Sequence, residues 1–256
     1  MKPFMMRVQN KKTFKKTLLG WGIVIYLFLA GCQNESIDYF NRGNAHFAKG
    51  EYDRAISDFN KTIDINPEND EAYFLRGAIY GIAKSQYDQA ISDYTKVLEI
   101  NPKHAEASYL RGLIYAAKGE YDQAILDLTE TLKINPRHVE AFHNRADIYK
   151  DKGEYDRAIS DYTKTIEINP SYAKAYCSRG AAYAKKREYD QAISDFNKAL
   201  EINTKYAKAY CLRGATYCIK GKYDKAWEDV HKAQSLGYQI PAKFLKILRE
   251  ASARKR

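Results

Sequence analysis

The 256-residue sequence contains no glycine-rich phosphate loop, no G-x-S-x-G, no H-E-x-x-H and no C-x-x-C. Those absences remove the usual signatures of nucleotide hydrolysis, serine acyl transfer, zinc proteolysis and dithiol redox chemistry. The four cysteines are dispersed, at Cys32, Cys177, Cys211 and Cys218. The longest apolar run, residues 18–30, has 13 residues, short of the roughly 20 that span a bilayer as a helix. A formal charge of +10 at first suggests nucleic acid, yet the middle of the chain has no basic excess. Residues 1–31 carry +6 and residues 242–256 carry +5, which leaves the body at −1. A nucleic-acid solenoid would carry its charge along the binding surface, so no nucleic-acid partner is expected.

What the sequence has instead is a period. The phrase GEYDRAISDY at 153–162 returns five more times with small edits. Its Tyr-Asp pair stands at Tyr52, Tyr87, Tyr121, Tyr155, Tyr189 and Tyr223, at spacings of 35, 34, 34, 34 and 34 residues. A fixed period of this size means stacked copies of one small unit. Aligned on the phrase, the units are 36–69, 70–104, 105–138, 139–172, 173–206 and 207–240. The second has one extra residue, between Tyr80 and Tyr87. Each unit shows two bursts of apolar residues at helical spacing. A lysine-glycine step such as Lys152-Gly153 divides them, and an Asn-Pro step such as Asn169-Pro170 closes the second. Each unit therefore predicts a helical hairpin whose helices bury their apolar faces only by stacking. The fold class is all-α.

This pattern resembles the tetratricopeptide repeat. The small residue near the middle of the first helix is Gly43, Gly77, Gly112, Ala146, Gly180 and Gly214, and the alanine of the second helix is Ala55, Ala90, Ala124, Ala158, Ala192 and Ala226. The closing proline is present as Pro67, Pro102, Pro136 and Pro170. Thr204 and Tyr238 stand in its place later, so unit ends that are looser or simply different are expected there. The resemblance implies a right-handed superhelical solenoid of six hairpins over 36–240. Residues 241–256 are expected to form a capping helix and a basic tail.

Two polar residues recur in every unit, an arginine (Arg42, Arg76, Arg111, Arg145, Arg179, Arg213) and an aspartate (Asp58, Asp93, Asp127, Asp161, Asp195, Asp229). Sixfold recurrence reads as a ladder between first and second helices, within a unit or between neighbours. As exposed ion pairs these would contribute about 0–1 kcal/mol each and set register more than stability.

The N-terminus reads as an address. Six basic residues precede the apolar run, which ends in Leu29-Ala30-Gly31-Cys32. That layout resembles the bacterial lipoprotein signal. The resemblance implies removal of residues 1–31, lipidation of Cys32, a linker over 32–35 and a membrane anchor through the acyl chains. Gln33 is not the aspartate that favours inner-membrane retention. The expected location is therefore the cell envelope, at the outer membrane facing the periplasm in an organism with two membranes.

The family resemblance also implies that the first helices line a concave face through their second, fifth, sixth, ninth, twelfth and thirteenth positions. The groove residues this assigns are Phe40, Asn41, Asn44, Phe74, Leu75, Tyr109, Leu110, His143, Asn144, Asp147, Lys174, Cys177, Lys208 and Cys211. Along the second position the edge runs Glu71, Glu106, Glu140, Lys174, Lys208, from acidic to basic. The pattern fits a partner peptide or helix. The clamp that tetratricopeptide proteins use for a partner's terminal carboxylate is not supplied by any three consecutive units.

The row His143, Cys177, Cys211 raises the alternative of a metal- or thiol-dependent protein. Adjacent first helices are about 10 Å apart, however, against metal–ligand bonds of about 2.0–2.3 Å, so no metal or other cofactor is expected. Residues outside the repeats are too few for a catalytic domain. Neither catalysis nor a small-molecule substrate is expected, and a second alternative is a structural spacer with no specific ligand.

Overall fold

The computed structural model describes residues 34–253, and the proposed lipid site Cys32 and its signal lie outside them. Among the described residues every regular element is helical. The first helices of the units are α1 (34–48), α3 (Asp70–Ala78), α5 (Ala105–Ala117), α7 (Val139–Asp151), α9 (Ala173–Lys185) and α11 (Ala207–Ile219). The second helices are α2 (Tyr52–Ile65), α4 (Tyr87–Ile100), α6 (Tyr121–Ile134), α8 (Tyr155–Ile168), α10 (Tyr189–Ile202) and α12 (Tyr223–Ser235). A thirteenth helix, α13 (Ala242–Ala253), follows. By packing, the chain divides into two compact units, one ending at Ala107 and one beginning at Ser108.

The repeated phrase is the start of each second helix. Its tyrosine opens the helix, and its first aspartate lies in the first turn, where the helix dipole favours negative charge. Its alanine is fully buried in every unit. One turn later a large side chain fills the hairpin: Phe59 and Tyr94 in the first compact unit, Leu128, Tyr162, Phe196 and Val230 in the second, each with 0–1% of its surface exposed. The small residue of the first helix exists to admit that side chain. A Cβ on Gly180 would lie 2.9 Å from the Phe196 ring and 3.0 Å from the Ala192 carbonyl oxygen.

Hairpin turns use a left-handed residue. It is glycine at Gly153 (φ +80°), but Arg187 occupies the same place in its unit at φ +66°. L-residues enter that region at a cost. The extra residue of the second unit is absorbed as a π-turn over Ile79–Ala83, where the Lys84 N–H donates to the Ile79 carbonyl at 3.1 Å. The wider turn returns Tyr87 to register.

The unit ends decide between the two alternatives, looser or simply different. Asn203 closes α10 as Asn169 closes α8: its side-chain oxygen accepts from the Lys205 N–H at 3.0 Å, against 3.2 Å from Ser171 to Asn169. Thr204 therefore does not loosen the fifth unit, because the asparagine makes the turn and the proline only favours it. The sixth ends differently, at Gly237 with φ +81°.

Helix α13 lies against α11 and α12. Counted by the 34-residue period, Leu248 stands where the other first helices have Gly or Ala, and it is fully buried. Ile247, at the place of the ladder arginine, is exposed.

Candidate functional site

The repeated polar residues form the ladder, but not as exposed pairs. Arg145 donates from Nε to Asp161 Oδ2 at 2.7 Å and from a terminal nitrogen to Oδ1 at 2.9 Å. The same bidentate contact joins Arg42 to Asp58, Arg76 to Asp93, Arg111 to Asp127, Arg179 to Asp195 and Arg213 to Asp229, always within one unit. All six aspartates are buried. The hydrogen bond to Asp195 raises the Arg179 guanidinium above its ordinary value despite partial burial. Arg42 does the converse for Asp58, holding its carboxyl below the usual range. Removing one member of such a pair strands a buried charge, so the ladder carries stability as well as register.

The remaining guanidinium nitrogen reaches the preceding second helix. Arg76 donates to Asn60 at 2.5 Å, Arg145 to Thr129 at 2.9 Å, Arg179 to Thr163 at 3.0 Å and Arg213 to Asn197 at 2.7 Å. Sequence reading missed this row. The signal was an Asn or Thr directly after the large core residue of the first five units. A second row it missed pairs the phrase's first aspartate with a lysine of the next hairpin: Lys84 with Asp53, Lys152 with Asp122, Lys186 with Asp156, and Lys220 with Asp190. These aspartates are mostly exposed, and the pairs contribute little.

The assigned groove residues separate into two layers. The fifth-position row is packing. Phe40, Phe74 and Tyr109 are half-buried, while His143, Cys177 and Cys211 are buried. Three of them lie against the last residue of their own unit: Phe74 stacks on His104 at 4.8 Å between ring centroids, Tyr109 meets His138 at 4.6 Å, and His143 meets Tyr172 at 5.3 Å. The Cys177 thiol lies in hydrogen-bond contact with the Tyr206 hydroxyl, and burial pushes it up to about 11. The groove role expected for His143, Cys177 and Cys211 is thus corrected, because these side chains lie beneath the surface and fill the joint between hairpin and closing turn. Among the described residues no group of three or more His, Cys, Asp and Glu side chains converges as a metal site. Among the described residues Cys177, Cys211 and Cys218 are free thiols.

The accessible layer comes from the other positions. Asn41, Lys174 and Lys208 are exposed; Asn44, Leu75, Leu110, Asn144 and Asp147 are half-buried. In the second compact unit, Asn144 donates to the Tyr109 hydroxyl at 2.9 Å. Asp147 accepts from Tyr162 at 2.5 Å and from Lys150 at 2.6 Å. The polar floor around Asp147 is therefore tied to the core through Tyr162. A separate cavity of about 940 Å³, lined by Tyr223, Trp227 and Ser252, lies by α12 and the end of α13.

Buried alanine, paired large side chain and ladder recur at one period through the described chain, and sequence comparison agrees. Profiles of the tetratricopeptide repeat match residues 43–81 and 146–187, 82–138, 128–160 and 196–228 and 173–206. The chain belongs to the tetratricopeptide repeat family. Among solved tetratricopeptide-type structures it is similar to MamA, at 32% identity over 68% of this chain and 94% of that one, with a TM-score of 0.64. YrrB, described as a TPR protein with an unusual peptide-binding site, is 24% identical over 68% of this chain and 89% of that one, at a TM-score of 0.63. PilF of Pseudomonas aeruginosa is 18% identical over 88% and 99%, at 0.65. The last two are likenesses of fold alone. No curated protein matches the chain. Family and fold make it a scaffold for protein–protein interaction.

Proposed function

We propose that this tetratricopeptide protein is a lipid-anchored adaptor of the bacterial cell envelope that binds a partner's peptide or helix on its first helices. It acts by recognition and not by catalysis. The observation that carries the reading is a contrast between layers. Core alanines, large side chains and ladder repeat in every unit, whereas the accessible sixth and ninth positions change: Leu110, Asn144, Ser178 and Leu212, with Asp147 alone carrying charge among the ninth positions of the second compact unit. A surface whose variation serves no packing purpose, on helices pre-ordered by stacking, suits a ligand that orders on binding.

The anchor rests on the sequence Leu29-Ala30-Gly31-Cys32 behind its basic and apolar segments. No helix of the described residues is long and apolar enough to cross a membrane. The proposal assigns anchoring to acyl chains on Cys32, more than one of which is needed for stable attachment.

Two measurements test the two halves. Labelled fatty acid is expected to enter the wild-type protein in cells and to be lost from Cys32→Ala; label persisting in that variant defeats the anchor. Cross-linking in cells is expected to capture partners that disappear when Asn144 and Ser178 are both replaced by Ala. An unchanged set of partners refutes groove binding and favours a plain spacer.

A further inference from the structure

We infer that the cavity beside α12 is a seat for a guanidinium, and that its occupant is the chain's own Arg254, held between the Asp224 carboxylate and the Trp227 ring. Arg254 follows the last residue of α13 and lies outside the described residues.

The row of lysine–aspartate pairs supplies the register. In that row the first aspartate of a phrase meets a lysine at the end of the next first helix: Asp122 with Lys152, Asp156 with Lys186 and Asp190 with Lys220. Each of these lysines stands 30 residues after its aspartate. The sixth phrase has Asp224, and 30 residues on stands Arg254. Helix α13 keeps the register of a first helix up to that point. Leu248 is buried at the place of Gly214, and the Trp227 indole nitrogen lies 3.5 Å from Ser252 Oγ.

The cavity lies where that residue is due. Its walls include Asp224, Trp227 and Glu228 from α12 and Ser252 and Ala253 from the end of α13. Two units earlier the corresponding cavity is bounded by Asp156 and Lys186, which pair at 2.7 Å. Its volume is about 310 Å³, against about 940 Å³ beside α12.

Residue type changes on both sides of this joint at once. Three residues after the aspartate, the first five phrases have isoleucine, at Ile56, Ile91, Ile125, Ile159 and Ile193. The cation that follows each of them is a lysine, at Lys84, Lys118, Lys152, Lys186 and Lys220. In the sixth the two positions are Trp227 and Arg254. A planar guanidinium stacks on an indole face and still donates in its own plane to a carboxylate, whereas an ammonium is a compact point charge.

The charges on the walls also favour a cation. Four charged residues line the cavity: Lys222, Asp224, Lys225 and Glu228. The Lys225 ammonium is engaged elsewhere, 5.7 Å from the centre of the Tyr217 ring. Lys222 acts on the preceding unit, where the hydrogen bond from Lys220 lowers the Asp190 carboxyl and the charge of Lys222 adds to it. Asp224 and Glu228 stand one turn apart on α12 and are exposed. Among the described residues neither has an ion-pair partner. Arg254 is joined to Ala253, a residue of the cavity wall, so its effective concentration there exceeds that of any free cation. A cation at that point also complements the dipole of α13. Seated there, Arg254 carries the row to a thirteenth helix and ties its end to α12.

Amide hydrogen exchange at residues 250–253 of the full chain, followed through a double-mutant cycle, tests this. Arg254→Gln is expected to speed exchange of those amides about threefold more in wild type than in the Asp224→Asn background. Unchanged exchange in α9 confirms that each variant is folded. Equal acceleration in both backgrounds means that Arg254 acts on its own helix alone, and it overturns the inference. No acceleration in either background overturns it as well. Phosphatidylglycerol vesicles added to wild type are expected to leave the exchange as it is. Protection by vesicles that requires Arg254 assigns the residue to lipid headgroups and also overturns the inference.

Discussion

The imidazole of His143 lies edge-on to the phenol of Tyr172, with ring centroids 5.3 Å apart and planes at 79°. One unit earlier the same joint is made by Tyr109 and His138 with the two residue types exchanged. The fifth position of a first helix and the last residue of its unit therefore act as one packing pair, and the second member also governs how the next helix begins. His138 accepts from the Ala141 N–H at 3.2 Å and so caps α7, whereas Tyr172 makes no side-chain cap for α9.

This pairing gives the first prediction. His138→Ala removes both a ring contact and a helix cap, and is expected to lower stability by about 1 kcal/mol or more. His138→Asn restores the cap without the ring and should recover part of the loss. Chemical denaturation followed by circular dichroism measures both; equal losses would mean that the cap contributes nothing.

Arg179→Met leaves the buried Asp195 carboxylate without its bidentate partner and also breaks the contact to Thr163. A loss of about 3 kcal/mol is expected, much of it regained when Asp195 is changed to Leu as well. Lys186→Met removes a pair whose aspartate is 85% exposed and is expected to leave the denaturation midpoint unchanged. Similar midpoints for the arginine and lysine variants would contradict the burial of the ladder.

Backbone geometry yields a pair of opposite sign. Gly180→Ala places a methyl against the Phe196 ring and the Ala192 carbonyl. Overpacking of about 1–3 kcal/mol outweighs a gain in helix propensity of about 1 kcal/mol, so the variant should melt earlier. Arg187→Gly relieves a left-handed arginine and should melt later, by roughly 0.5–1 kcal/mol of stability. Melting temperatures that move the other way for either variant would refute the account of that site.

The pH dependence follows from Asp58. Its hydrogen bonds to Arg42 hold the folded-state carboxyl below the ordinary value, which for an unfolded aspartate is about 3.9. A depressed folded value means that the stabilisation is complete above about pH 4 and is lost as pH falls through the folded value. Wild type should therefore exceed Asp58→Asn in stability at neutral pH, and the difference should narrow below about pH 4. A difference that stays constant down to pH 2 would exclude the linkage.

How much of this was legible in the sequence depends on the range of the interaction. Hairpins, turns and the buried alanine were readable because a period exposes them: any residue every unit needs is written six times. The ladder was readable as a pattern but not as an energy, since nothing in the spacing of Arg145 and Asp161 says that the carboxylate is buried. Asn60 and Thr129 escaped notice because their partners lie 16 residues on, in the next helix, and two residue types share the role.

The sequence by itself determined the architecture, since each helix of a repeat can bury its apolar face only against the neighbours the period supplies. It also determined which positions vary. The tertiary structure decided which varying positions are accessible. His143, Cys177 and Cys211 lie on the same helix stripe as true surface residues, yet all three are buried, the first two beneath Tyr172 and Tyr206 of their closing turns. Asp147, one turn beyond His143, keeps a side chain that is 31% exposed. Periodicity along one helix places a residue on a face, and only the packing of a second segment settles whether that face meets solvent.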